Sequence, residues 1–139
     1  MFWNKKKKRS GEELVIFFAS DLHGSAVCFK KFVNGAKFYG ANLLVMGGDL
    51  TGKAVIPITE QTDGSFKGFH AGAEVAIESQ DELDAFIKRV DNQGFYPTVM
   101  TEAEFQTMKN DPEAQDTLFR KLVVDRVQEW ADYAEEKLK

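Results

Sequence analysis

The chain has 139 residues, 43% of them hydrophobic and 29% charged, which suits one folded domain and excludes a disordered chain. Its net charge of −4 is uneven: KKKKR at residues 5–9 holds five of the 18 basic residues, and the other 13 face 22 acidic ones, a net of −9. So acidic a body disfavours general binding to nucleic acid, whose phosphates need positive potential, and no apolar run reaches the length of a membrane span.

Residues 1–13 lack the apolar core of a signal peptide and read as a basic, solvated, flexible tail, with a weak grip of FW and KKKKR on an anionic membrane surface as the lesser reading. Residues 14–20 form a continuous apolar run, which predicts a strand buried on both faces. From Ser25 to about Phe38, apolar residues recur at Phe29, Phe32, Val33 and Ala36, the spacing of one helix face, and Gly40 follows as a stop. Residues 42–46 give a second buried strand, ending in Gly47 and Gly48. Strand, helix and strand in this order predict a βαβ unit with neighbouring parallel strands. Cys28, the only cysteine, excludes an internal disulfide and fits a reducing, cytoplasmic location. Its neighbours Val27, Phe29 and Phe32 predict a small core residue.

The pattern then changes. Residues 55–59, 66–69 and 73–77 read as short strands, with turns at Thr62-Asp63-Gly64 and Ala71-Gly72. They predict an antiparallel insertion over 54–78 that projects from the α/β core. Ser79 and Glu82 form a capping box for a helix carrying Leu83, Phe86, Ile87 and Val90, which Gly94 ends. Thr101 and Glu104 open a short helix. Asp111-Pro112 opens a long one, with a stripe of Phe119, Val123, Val127, Trp130, Ala134 and Leu138 expected in the core.

In a parallel α/β sheet, ligands gather beyond the carboxyl ends of the strands. The first strand presents Asp21 and His23 there, two apart and so on one side of an extended chain. Gly24 allows a sharp turn that leaves the cavity open. The second strand presents Asp49. A carboxylate, an imidazole and a second carboxylate on adjoining strand tips suit a divalent cation.

ASDLHGS and LLVMGGDLTGK resemble the first two motifs, D-x-H and G-D, of the calcineurin-like metallophosphoesterases. The resemblance extends over residues 14–139, although its specific motifs lie only between 21 and 53. It implies the N-terminal part of an αββα sandwich: a βαβ unit, a small antiparallel insertion and C-terminal helices. It also implies hydrolysis of phosphate mono- or diesters at two divalent ions (Mn, Fe, Ni, Zn or Mg), with Asp21 and His23 on one ion and Asp49 bridging. The family's later motifs, G-N-H-[DE] and G-H-x-H, are absent. His70, the other histidine, reads as a hairpin surface residue. Lys53 stands where the family often has an acid; it either contacts the substrate phosphate or is solvated.

Three ligands suffice for at most one weakly held ion. The expectation is therefore part of a larger phosphoesterase, inactive alone. The main alternative is a non-catalytic half-domain that acts through protein–protein association, binding a partner or self-associating through an uncovered sheet edge. A P-loop-like module is a lesser one: residues 47–54, GGDLTGKA, nearly match that motif but lack the magnesium-binding hydroxyl, and AVIPIT follows where a helix should start.

Overall fold

The computed structural model describes residues 13–139, so the predicted basic tail lies, apart from Glu13, outside the described residues. In chain order the elements are β1 (Ile16–Ala19), α1 (Ala26–Tyr39), β2 (Leu43–Met46), β3 (Val55–Glu60), β4 (Phe66–His70), β5 (Ala73–Ile77), α2 (Gln80–Asn92), β6 (Tyr96–Thr101), α3 (Glu102–Asn110) and α4 (Pro112–Leu138). They make an α/β chain with two sheets, β1 beside β2 and a four-stranded sheet in the order β5-β4-β3-β6.

The βαβ unit forms as expected, with Ile16 to Ala19 paired in parallel with Leu43 to Met46. The Ser25 hydroxyl caps α1 by accepting from the Cys28 N–H at 3.3 Å, and the helix ends on a left-handed Gly40. Phe29, Phe32 and Val33 of α1 form a core with Trp130 of α4, against which Phe17, Ala19, Leu44 and Met46 pack. Trp130 lies flat on Phe29, with ring centroids 4.3 Å apart.

Two expectations fail in this unit. The strands are not buried on both faces: Ile16 and Phe18 are 52% and 60% exposed, because α1 covers one face of a sheet only two strands wide. Cys28 is exposed and not in the core; position 28 falls off the stripe that 29, 32, 33 and 36 define.

The predicted antiparallel strands form β3, β4 and β5, but they do not simply project. The four-stranded sheet includes β6, which runs parallel to β3 from Val55↔Tyr96 to Glu60↔Thr101. This sheet is mixed, since β3 and β4 are antiparallel. It has its own core, Ile58 and Ile77 from the sheet against Leu83, Phe86 and Val90 of α2. Pro97 is tolerated because β6 is an edge strand, and Pro57 lies in the part of β3 that β4 does not reach.

The helix starts follow the sequence. Ser79 caps α2, and Thr101 and Glu104 make both halves of the capping box on α3. The Asp111 carboxylate accepts from the N–H groups of Glu113 and Ala114. The stripe on α4 is not a continuous core, however. Trp130 alone of its residues is buried, while Val127 and Leu138 are exposed. Along its 27 residues the helix meets α3 at one end and α1 further on, so no single partner covers its length. Among the described residues, no helix is long and apolar enough to cross a membrane.

Candidate metal centre

The pairing of the first two strands continues beyond their ends as contact between loops. The Gly47 N–H donates to the Ala19 carbonyl at 2.7 Å and the Asp21 N–H to the Gly48 carbonyl at 3.0 Å. The His23 N–H then donates to the Asp49 carbonyl at 3.0 Å, and the Gly24 N–H to the Leu50 carbonyl at 2.9 Å. The loop after β1 and the loop after β2 are thereby zipped together across the three candidate ligands.

Asp21, His23 and Asp49 all have left-handed backbones, with φ of 59°, 48° and 47°. Among the described residues only one other non-glycine, Ala71 in the β4–β5 turn, has positive φ. Asp and His tolerate this region better than most side chains, yet each such residue carries strain of roughly 1–2 kcal/mol. Strained backbone of this kind concentrates at binding and catalytic sites. The expectation of an extended D-x-H segment is corrected here. The strand stops at Ala19, and the turn, not the pleat, aims the side chains.

The structure brings the three predicted ligands together: one donor atom from each lies within 4.8 Å of the others. His23 Nδ1 is 3.1 Å from Asp49 Oδ2, and both side chains are about half exposed, at 50% and 51%. The Ser20 hydroxyl donates to Asp21 Oδ2. An octahedral ion with donors at about 2.1 Å holds adjacent donors roughly 3 Å apart and opposite ones roughly 4.2 Å apart. The donor spacing and the mix of two carboxylates with one imidazole therefore fit one divalent cation after small side-chain rotations. Three donors are too few for two such ions, each of which takes about three protein ligands.

Lys53 is not part of this cluster. Its ammonium lies over the Phe95 ring, 5.2 Å from the centroid. It lines a groove of about 520 Å³ with Phe105, Met108 and Phe119, and none of the three ligands lines that groove. His70 lies at the β4–β5 hairpin as expected and is partly buried there, with Nε2 2.6 Å from Gln93 Oε1 and its ring edge-on to Phe95. The P-loop alternative finds no helix, because β3 follows residues 47–54.

Gly24 does not leave a cavity open. It is buried, and a Cβ there would fall 2.4 Å from the Gly52 Cα, so its role is close packing of the two loops. Gly94, legible as a helix stop, has a second role. A Cβ there would fall 1.9 Å from the His23 carbonyl oxygen. No local sequence signal marks that contact, which joins residues 71 apart in the chain.

Comparison of the chain with protein-family models, curated protein sequences and solved structures finds no match.

Proposed function

We propose that Asp21, His23 and Asp49 bind one divalent cation and form the metal-holding part of a phosphoester hydrolase of the calcineurin-like kind. One observation carries this reading: two carboxylates and an imidazole converge at the tips of adjoining parallel strands, each on left-handed backbone. A bound divalent ion supplies Lewis-acid polarisation of a phosphoryl oxygen. The chain's residues hold and orient: the paired loops fix the three donors, and Ser20 orients the Asp21 carboxylate. The αββα sandwich belongs to this proposal, with β1, α1 and β2 as its first unit. So do the phosphate mono- or diester substrate and a second ion, for which ligands would have to come from beyond these three side chains.

Titration calorimetry with manganese tests the reading, together with assay of an aryl phosphate diester. The expected result is one weak site per chain, lost in Asp49→Asn, and no turnover by the 139 residues alone. Equal binding by wild type and Asp49→Asn would refute the metal reading. Manganese-dependent turnover lost in Asp49→Asn would refute the forecast of inactivity and strengthen the hydrolase assignment.

A second reading, association as a non-catalytic half-domain, has its own support. The face of the β1–β2 sheet away from α1 leaves Leu14, Ile16, Phe18 and Leu43 exposed, whereas parallel strands are ordinarily covered on both faces. Sedimentation of the wild-type chain over a wide concentration range decides whether it self-associates.

A further inference from the structure

We propose that Tyr96 and Arg126 are positioning residues that fix the spacing between the two ligand-bearing loops, a claim that rests on the metal site proposed above. Both loops are fastened to the end of α2 and the turn that follows it. On the first loop, the Ser25 hydroxyl donates to the Asn92 carbonyl at 2.7 Å. On the second, the Lys53 N–H donates to the Gly94 carbonyl at 2.8 Å.

Two side chains complete the brace. The Gly52 N–H, three residues beyond Asp49, donates to the Tyr96 hydroxyl at 2.7 Å in a buried contact. Arg126 of α4 is only 13% exposed and pairs with Asp91 of α2. Its Nη1 also donates to the Gly24 carbonyl, adjacent to His23, at 3.3 Å. Its guanidinium lies 5.4 Å from the centroid of the Tyr96 ring. A phenol that holds the Asp49 loop is thus stacked on a guanidinium that holds the His23 loop. The planar fork of arginine reaches Asp91 and Gly24 together, which a lysine ammonium does with far less geometric control. Donors must stay within about 0.5 Å of a productive arrangement. A brace that sets the loop separation therefore sets affinity for the cation without touching it.

Manganese binding by the full 139-residue chain, read from the EPR signal of the free ion well below the unfolding temperature, tests this. Tyr96→Phe keeps the ring and its stacking but removes the acceptor for Gly52. Its dissociation constant for manganese is expected to rise about tenfold, the lower range for groups that orient metal ligands. Ile77→Val, in the second core and on the far edge strand, weakens the fold without touching either loop. It should leave the constant unchanged.

An unchanged constant in Tyr96→Phe overturns the inference. So does an equal rise in Ile77→Val, since affinity would then merely follow stability. Hydrogen exchange of the metal-free protein separates this inference from the metal reading. The amides of Asp21, His23 and Gly24 should exchange faster in Tyr96→Phe and in Arg126→Lys than in Ile77→Val. If wild type holds no manganese, the metal reading fails and this exchange result decides the brace by itself: equal rates overturn it.

Discussion

Replacing Gly94 by alanine probes the junction on which the candidate centre rests. The new Cβ would sit 1.9 Å from the His23 carbonyl oxygen. Carbon–oxygen contacts settle at about 3.3 Å or more, so about 1.4 Å must open. The obstructing atom is backbone, and no rotamer change removes it. Overpacking of this kind costs about 1–3 kcal/mol. The backbone at 94 also has φ of 85°, where alanine pays roughly 1–2 kcal/mol more. The expected loss is about 2–5 kcal/mol. Gly64 supplies the internal control. Its φ is 83°, and a Cβ there meets nothing within 4 Å. Gly64→Ala should show the backbone cost alone, roughly 1–2 kcal/mol. Urea unfolding followed by far-UV circular dichroism measures both variants, compared at equal slopes. Equal midpoints for Gly94→Ala and Gly64→Ala would refute the claim that residue 94 is held against the His23 loop.

Further outcomes follow from the packing and the caps. Trp130→Ala should destabilise by about 3–5 kcal/mol in the same unfolding assay, because this ring joins α4 to the first core. Trp130→Phe should recover part of that loss. The Thr101 N–H and hydroxyl, bonded to the Glu104 carboxylate, hold its pKa below the ordinary value of 4.5. Its stabilising contribution is therefore present above pH 4.5 and lost as pH falls through the lowered folded-state value. Amide shifts at the start of α3 should report that loss in acid, and Glu104→Gln should abolish the pH dependence. Phe18→Ser, at a residue 60% exposed on the bare sheet face, should barely change stability. By sedimentation it should reduce any self-association of the wild type.

The first unit was legible because its signals are local. The apolar runs of β1 and β2, the 29-32-33-36 stripe and Gly40 each depend on neighbours in the chain. The caps at Ser79, Thr101 and Asp111 were legible for the same reason: a side chain bonds an N–H two or three residues away. β6 was not legible. It is six residues long and contains Pro97, which argues against a strand until the edge position is known. The exposed face of β1 is not legible, because an apolar run does not show how many layers cover it. At the site, the residue types and their meeting at two strand tips could be read from the sequence. The left-handed turn that aims Asp21, His23 and Asp49 could not, since none of the three is a glycine that flags positive φ. Nothing in the sequence marks Tyr96 and Arg126, because their contacts cross from one sheet, and from the last helix, to the loops of the other sheet.

Asp21, His23 and Asp49 are proposed to share one cation. Paramagnetic broadening of backbone amide signals during manganese titration tests it most directly, because it locates the ion as well as detecting it. The amides of residues 21–24 and 48–50 should broaden first, and Asp49→Asn should remove that selectivity. Broadening centred on the exposed acids of α4, or spread evenly over the acidic surface, would contradict it.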